Sequence, residues 1–398
     1  MRRLPPLPAL FALILLLFLA ACQQQPSETA PPELRLEPVS FTELPGWQED
    51  DPLPALPAFL RSCAVFAKRD PDRPMGNNER FGTVADWQAV CREAGSLPQD
   101  GAAVRRFFET RFLPYRITDR GEAEGLFTGY YEPLLYGSVQ PDARFRYPLY
   151  RRPPELVTVE LGRFDPELDG KRIAGRLDGG RLLPFPDRAA ITDGALEGRG
   201  LELVWVDDPI ALFFLHIQGS GQILLPDGSR MRVGYDGWNG RPYRAIGREL
   251  IARGEIPREE MSLFAIRDWL KANPEEARAL LDSNPSYVFF RELSGLAEAS
   301  GPPGSMGVPL SPGRSLAVDR RFVPLGLPLW LDSTVPTPDG LRPLRRLMIA
   351  QDTGGAIKGP VRGDVFWGAG AFAEYLAAHM KQPGRLYILL PRGPVPGV

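Results

Sequence analysis

Two aspartates lie close together in a glycine-rich stretch near the C-terminus, AQDTGGAIKGPVRGDVFWG, residues 350–368. Asp352 and Asp364 are twelve positions apart, and Lys358 lies between them. A carboxyl group that stays protonated near neutral pH can act as a general acid, and such acids cleave glycosidic bonds. Glycine-rich strands also let the backbone approach a sugar chain closely. The stretch therefore predicts carboxylate chemistry on a glycan.

Other residues that could be catalytic or bind a ligand do not match the known motifs for those functions. QGSGQ, residues 218–222, misses the G-x-S-x-G pattern of a nucleophilic serine by one glycine. GGAIKG, residues 354–359, lacks the spacing and the final Lys-Ser/Thr pair of a phosphate loop. The two histidines, His216 and His379, have no His, Cys or carboxylate neighbour at ligand spacing. We therefore predict no metal site and no cofactor.

Composition narrows the class of protein further. The chain has 398 residues, 47 of them basic and 49 acidic, and no basic block, so nothing points to nucleic acid as a partner. Its hydrophobic fraction of 43% supports a sizeable core, and the length suits two domains. The 43 prolines argue against a helical bundle and favour short strands with frequent turns.

The N-terminus, MRRLPPLPALFALILLLFLAAC, has the pattern of a signal peptide. Two arginines precede an apolar run from Ala9 to Ala21, which is shorter than the roughly 20 residues that a spanning helix needs. Leu19 to Cys22 resemble a bacterial lipobox, which predicts cleavage before Cys22 and lipidation of its thiol. An ordinary secretory signal with an incidental cysteine is the alternative. Gln23, rather than an aspartate, favours release to the outer membrane.

A polar segment follows the cysteine. QQQPSETAPPELRLEP has too little apolar content to fold alone, which predicts a flexible tether over residues 22–45. Beyond it, Cys63 and Cys91 lie in two predicted helices. In an oxidising periplasm they could form a disulfide worth roughly 3 kcal/mol, and two buried free thiols are the alternative.

Apolar periodicity divides the chain into helical and strand-rich regions. Helical spacing covers residues 55–68, 84–96 and 101–112, and it returns in 243–283. Short strands are predicted from residue 125, including the stretch LELVWVDDPIALFFLHIQGSGQILLPDGSRMRVGYDG, where Asp227-Gly228 marks a hairpin turn. Residues 286–398 are again predicted to be rich in strands.

Several motifs together resemble one known family. SLAVDRRFVPLGLPLWL and MIAQDTGGAIKGPVRGDVFWG, within residues 315–368, resemble the three-aspartate or 3D domain, whose aspartates match Asp319, Asp352 and Asp364. Upstream, FTGYYEP, FFLHIQGSG, NGRPYRAIGREL and NPSYVFF resemble signature stretches of the membrane-bound lytic murein transglycosylase A family. The resemblance runs from about residue 60 to the C-terminus, with the motifs in the family's order.

The resemblance implies a fold that is mainly β with flanking helices. A double-psi β-barrel that carries the 3D motif would be interrupted by a second, smaller β-barrel, with a groove between the two. The expected divisions are a lipoprotein signal peptide at 1–21, the tether at 22–45, a catalytic domain at 46–132 and 286–398, and an inserted domain at 133–285.

The resemblance also implies a reaction and a set of site residues. These enzymes cut the β-1,4 bond between N-acetylmuramic acid and N-acetylglucosamine without water, leaving a 1,6-anhydromuramoyl end. Asp364 matches their single catalytic acid. Asp352 would hold the loop or raise the pKa of Asp364 by like charge, Lys358 would orient either one, and Asp319 would be structural. The expected sugar contacts are Thr128, Tyr130, Gln218, Ser220 and Gly221.

Two alternative functions remain open at this point. A hydrolase that uses Asp364 as acid and Asp352 as base would leave a reducing end. A murein-binding lipoprotein without activity would release nothing. The expected partners are peptidoglycan glycan strands, outer-membrane lipid through Cys22 and the cell-wall synthesis machinery, with the protein facing the periplasm.

Overall fold

The computed structural model describes residues 31–168, 170–295 and 301–393. The predicted signal peptide, Cys22 and the first part of the predicted tether lie outside these residues. Within the described ranges, no helix is both long enough and apolar enough to span a membrane.

A ring of six strands forms the first barrel. The described residues contain seventeen strands: β1 Leu34–Pro38, β2 Phe112–Asp119, β3 Gly125–Glu132, β4 Leu134–Ser138, β5 Tyr147–Tyr150, β6 Leu156–Glu160, β7 Arg172–Asp178, β8 Arg181–Leu183, β9 Glu202–Val206, β10 Ser220–Leu224, β11 Arg230–Trp238, β12 Val288–Glu292, β13 Ser315–Val318, β14 Pro328–Thr337, β15 Gly340–Asp352, β16 Arg362–Ala369 and β17 Lys381–Pro391. The ring runs in the order β17-β14-β15-β13-β16-β3 and closes because β3 pairs with both β16 and β17. The predicted mainly β fold is confirmed.

A second ring follows in the same chain. Its strand order is β12-β11-β10-β4-β9-β5. The two ends of this order meet because Arg151, which directly follows β5, forms a β-bridge with Phe290 of β12. The chain passes from the first ring to the second between Glu132 and Leu134. The predicted return at residue 286 comes too early, because β12 pairs with β11 in the second sheet. Strands β6, β7 and β8 form a small separate sheet.

The hairpin predicted around Asp227-Gly228 is present between β10 and β11. Gly228 has a φ of 83°, a left-handed conformation that glycine adopts without strain. The Gly228 N–H donates to the Leu225 carbonyl, and the Leu225 N–H donates to the Ser229 carbonyl. The local sequence therefore specified this turn correctly.

Eight helices of eight residues or more lie in the described residues: α1 Leu56–Phe66, α2 Val84–Ala94, α3 Gly101–Arg111, α4 Pro209–Gln218, α5 Ile246–Arg253, α6 Leu263–Ala272, α7 Pro274–Asp282 and α8 Ala371–His379. The first three confirm the predicted N-terminal helices, and α5 to α7 confirm the helical region at 243–283. Asp100 caps α3 by accepting the N–H groups of Ala102 and Ala103.

Two helices were missed. Residues of α4 were predicted as strand because IALFFLHI is almost wholly apolar, and six of its ten residues are buried. Its ends carried clear helix signals that the apolar run obscured: Asp208 caps the first turn, Pro209 occupies the first position, and Gly219 ends the helix with a φ of 77°. Helix α8 lies in a region predicted to be strand-rich.

The predicted tether is too long. Residues Leu34–Pro38 form strand β1, which pairs antiparallel with β2, and Phe41–Glu43 form a turn of 3₁₀ helix. The carboxylate of Glu43 accepts the backbone N–H of Ser40. Hydrogen bonds to an existing sheet edge order a segment whose own composition would leave it unfolded.

A disulfide joins Cys63 of α1 to Cys91 of α2, so the alternative of two free thiols is wrong. Both helices pack on the outside of the first barrel beside a cluster of buried aromatic side chains, which includes Phe59, Phe108 and Phe112. These side chains belong to the same hydrophobic core as the strands of the first barrel.

Candidate active site

Strand pairing places Asp364 beside Thr128. Asp364 lies on β16, directly opposite Thr128 in the parallel β3 and Ala317 in the antiparallel β13. The Thr128 hydroxyl donates a 2.6 Å hydrogen bond to Asp364 Oδ1. Between Thr128 and Tyr130, Gly129 is required because a Cβ there would lie 2.5 Å from the indole nitrogen of Trp367. Strand pairing thus places the polar Thr128 side chain of the FTGYYEP motif next to Asp364.

The Asp364 carboxyl has the electrostatics of a general acid. Burial raises its pKa to about 6, the Thr128 hydrogen bond and the charge of Arg362 oppose that rise, and the charge of Asp352 adds to it. The side chain stays partly exposed. A carboxyl group recessed in the surface loses most of its hydration while one oxygen remains reachable, so a raised pKa and access to substrate are compatible.

Asp352, at the end of β15, accepts hydrogen bonds on both oxygens. Oδ1 accepts from the backbone N–H of Ser305 and of Thr353 and from the Ser305 hydroxyl, at 2.8, 2.9 and 2.8 Å. Oδ2 accepts from the Tyr130 hydroxyl at 2.8 Å. Burial, followed by the charge of Asp352, raises the pKa of Tyr130 well above its usual value, so Tyr130 remains a donor. Asp352 therefore holds the loop at Ser305 and also orients Tyr130.

Asp319 has the environment of a structural residue. It is 5% exposed, pairs with Arg321 at 2.6 Å and accepts the Gly359 N–H at 2.9 Å. Burial would raise the pKa of its carboxyl, but the hydrogen bonds from Arg321 and Gly359 outweigh burial and lower it. Lys358 is exposed and forms no hydrogen bond or ion pair with another described residue, including Asp352 and Asp364. The predicted orienting contact of Lys358 is therefore not present.

The residues predicted from the second ring lie at the end of α4 and the start of β10. Gln218 ends α4, and its Oε1 accepts the Tyr131 N–H from β3 at 3.2 Å, which joins the two rings next to the FTGYYEP motif. Ser220 and Gly221 begin β10 and are buried. A Cβ on Gly221 would lie 2.5 Å from Leu215, so the absence of a side chain there serves packing.

Sequence reasoning missed several residues around this site. Arg362 donates to the Thr128 hydroxyl at 2.9 Å, and its position two residues before Asp364 on one strand was the available signal. Ser305 and the interdomain cluster of Tyr131, Arg267 and Glu374 were also missed. Glu374 of α8 accepts from Tyr131 and pairs with Arg267 of α6, so it links the rings. No sequence pattern indicates these pairings.

The described residues contain no group of three or more His, Cys, Asp or Glu side chains that could hold a metal ion. The chemistry available to the site in this structure is that of the Asp364 carboxyl and the hydrogen-bond donors around it. Such a group can protonate a leaving oxygen and then accept a proton as a carboxylate.

Comparisons with known proteins give relatives for both parts of the chain. Residues 126–291 match the family described as the MltA specific insert domain, and residues 314–390 match the 3D domain. The membrane-bound lytic murein transglycosylase A of Vibrio cholerae is 37% identical over 276 residues, which are 68% of this chain and 67% of that protein.

Solved structures agree over most of the chain. The membrane-bound lytic murein transglycosylase of Agrobacterium tumefaciens is 39% identical with a TM-score of 0.78, covering 90% of this chain and 98% of that one. Escherichia coli MltA with bound chitohexaose is 29% identical with a TM-score of 0.62, covering 93% and 98%.

Proposed function

Because the chain belongs to the membrane-bound lytic murein transglycosylase A family, we propose that it cleaves peptidoglycan with Asp364 as its single catalytic acid. The bond cut is the β-1,4 linkage from N-acetylmuramic acid to N-acetylglucosamine. The observation that carries this assignment is the partly exposed Asp364 carboxyl, whose pKa burial raises to about 6. A carboxyl group with this pKa is protonated in about a tenth of the molecules at pH 7, far more often than an ordinary aspartate, and becomes a usable base once it has given up its proton.

The proposed reaction uses one carboxyl group twice. Asp364 protonates the glycosidic oxygen as the C1–O bond breaks and the muramoyl ring gains oxocarbenium character. The C6 hydroxyl of the same sugar then bonds to C1 and gives its proton to the Asp364 carboxylate. The products are a 1,6-anhydromuramoyl end and a free N-acetylglucosamine hydroxyl, and the acid is restored. Because the nucleophile belongs to the substrate, no second carboxylate is needed.

The contacts of Asp352 favour this reaction over hydrolysis by an Asp364 and Asp352 pair. A hydrolase would need Asp352 to activate water, but its oxygens already accept from Ser305, Thr353 and Tyr130. Oδ1 accepts three hydrogen bonds and Oδ2 accepts one, so the carboxylate has little acceptor capacity left to bind and orient a water molecule. We assign Asp352 to holding the loop and shaping the field at Asp364.

We assign the sugar-binding groove to the junction of the two rings. Tyr130 belongs to the first ring and Gln218 to the second, and Gln218 accepts the Tyr131 N–H at this junction. Ser220 and Gly221 are buried at the start of β10, so we assign them to the packing that supports this part of the groove. The related Escherichia coli protein binds chitohexaose, an uncharged oligosaccharide of N-acetylglucosamine, which supports a glycan as the ligand here. Water exclusion by both walls would favour attack by the C6 hydroxyl over hydrolysis.

We further propose that the protein is an outer-membrane lipoprotein that faces the periplasm and is anchored through Cys22. The support is the sequence LAAC after an apolar run and the membrane-bound description of the relatives. Cys22→Ala should abolish labelling by a radioactive fatty acid, and equal labelling of both proteins would reject the anchor. Contact with cell-wall synthesis machinery would follow from that location and is also a proposal.

Mass spectrometry of murein digested by the purified soluble domain tests the activity. Transglycosylation yields muropeptides one water lighter than hydrolysis does, because the anhydro end has no added water. We expect anhydro ends only. Reducing ends would support the hydrolase, and an undigested but protein-bound sacculus would support a binding protein without activity.

A further inference from the structure

The Thr128 hydroxyl lies between a cation and the proposed acid. Arg362 Nη2 is 2.9 Å from Thr128 Oγ1, and Thr128 Oγ1 is 2.6 Å from Asp364 Oδ1. Thr128 is one of the predicted sugar contacts, and Arg362 has no predicted role. The Thr128 hydroxyl instead contacts the Asp364 carboxyl group, and Arg362 contacts that hydroxyl.

The direction of these two hydrogen bonds follows from the chemistry of the donors. An arginine guanidinium only donates, so the Thr128 oxygen must accept from Arg362. The single hydroxyl proton of Thr128 is then free to point at Asp364 Oδ1. Arg362 itself is fixed, because Nη1 donates to the carbonyls of Leu126 and Gly363.

The barrel topology holds the three side chains in line. Arg362 and Asp364 are two residues apart on β16 and therefore share a face, and the parallel pairing with β3 sets Thr128 opposite Asp364. Arg362 forms no ion pair with any carboxylate of the described residues. Its donors are directed at Thr128 and the backbone rather than at an acidic side chain.

We propose that Arg362 and Thr128 are positioning residues that keep the transferable proton of Asp364 on Oδ2. With Oδ1 accepting from Thr128 in both protonation states, Oδ2 delivers the proton to the glycosidic oxygen and later takes back the proton of the C6 hydroxyl. The carboxyl group need not rotate between the two steps. This inference rests on the proposed function and adds to it the atom that reacts.

Other titratable or charged groups near Asp364 also bear on how its protonation changes with pH. Tyr130 from β3 and Asp352 from β15 are the remaining titratable neighbours, and Lys381 of β17 lies opposite Thr128 in register. The Thr128 hydrogen bond and the Arg362 charge both favour the ionised form of Asp364. Removing either should therefore raise the pKa of Asp364 and keep it protonated to higher pH.

The test is the pH profile of kcat/KM for anhydro product release from soluble glycan fragments. We expect Thr128→Val to move the alkaline limb upward on the order of one pH unit and to lower kcat on the acidic plateau about tenfold. Arg362→Gln should move the limb in the same direction. The matched controls are Thr158→Val on β6 and Arg163→Gln, an exposed arginine, and both should keep the wild-type profile.

Two further variants separate positioning from folding. Thr128→Ser retains the hydroxyl and should restore the wild-type limb. In the double variant Thr128→Val with Arg362→Gln, the shift should be smaller than the sum of the single shifts, because Arg362 also orients the Thr128 hydroxyl and only its charge still acts once that hydroxyl is gone. Carbon-13 NMR titration of labelled Asp364 measures the same shifts without substrate.

The outcomes distinguish this inference from the proposed function. A fall in kcat with an unmoved alkaline limb, or fully additive shifts, would overturn the positioning role while wild-type anhydro product still supports the reaction. Wild-type rates in Thr128→Val would also overturn it. If the wild-type protein releases no anhydro product, the proposed function fails, and the NMR titration then decides whether the hydrogen-bond chain still controls Asp364.

Discussion

Asp364 lies on β16 and Asp319 directly follows the neighbouring strand β13, yet their carboxyl groups have opposite properties. Burial pushes the pKa of both upward. Asp319 receives the Arg321 guanidinium and the Gly359 N–H, which together lower its pKa. Asp364 accepts a hydrogen bond from the Thr128 hydroxyl, and its pKa is raised to about 6. Burial acts on both carboxyl groups, and the number and charge of their donors contribute to separating a structural aspartate from a candidate acid.

The few donors at Asp364 also imply that its ionised carboxyl group lowers the stability of the folded protein. A carboxylate with few donors is poorly stabilised in its charged form, and that deficit is what lets it carry a proton near neutral pH. Asp319 has the opposite arrangement and contributes to stability. Substitution of the two residues should separate activity from stability.

The largest expected effect is the loss of turnover in Asp364→Asn. The amide is nearly isosteric but cannot donate an acidic proton, so the rate should fall by about 10³-fold or more. The anhydro-muropeptide assay measures this, with murein binding and circular dichroism as checks on the fold. Asp339→Asn, on an exposed turn, is the matched control. Retention of a tenth of the activity would sink the assignment of Asp364.

The second prediction concerns the stability of Asp319→Asn. It should lower the free energy of unfolding at pH 7.5 by about 1–3 kcal/mol, because a charged hydrogen-bond network is lost. A lowered folded-state pKa gives stability that is present above the unfolded pKa and lost as pH falls through the folded one. The difference from wild type should therefore shrink in acid. Denaturant unfolding at pH 7.5 and pH 3 measures it, and an equal loss at both would contradict the electrostatic origin.

The third prediction has the opposite sign. Asp364→Asn should stabilise the protein at pH 7.5 by about 1–3 kcal/mol, since a pKa near 6 against an unfolded value near 3.9 makes the folded carboxylate unfavourable. That penalty is full above pH 6 and absent below the unfolded pKa. The same unfolding experiment at pH 7.5 and pH 3.5 should show the gain only at the higher pH. A destabilised variant at pH 7.5 would show that Asp364 is well stabilised as an anion.

The smallest expected effect is that of Asp352→Asn on the pH profile. The charge of Asp352 makes a minor contribution to the raised pKa of Asp364. Removing it should move the alkaline limb of kcat/KM downward by less than about one pH unit, while the amide oxygen still accepts from Ser305. An upward shift would mean that loop displacement dominates. Complete inactivity with an intact fold would revive Asp352 as a catalytic base.

Local sequence signals predicted most elements of the fold, and the failures have identifiable causes. The helices at Leu56–Phe66, Val84–Ala94 and Gly101–Arg111 have one apolar face, so their periodicity was readable. The helix Pro209–Gln218 is buried on most sides, which removes the alternation that distinguishes helix from strand. Strand β1 was missed because its order comes from pairing with β2 rather than from its composition.

Residue types and their spacing are enough to indicate the chemical type of the site and the family, because Asp364, Asp352, Asp319 and the FTGYYEP stretch can be identified along the chain. The contacts of each carboxyl group come from the fold. Thr128 and Asp364 are 236 residues apart in the chain, and strand pairing alone makes them neighbours. Hydrogen bonding and burial act over a few ångströms, so the donors around each carboxyl group come from segments that no local pattern connects.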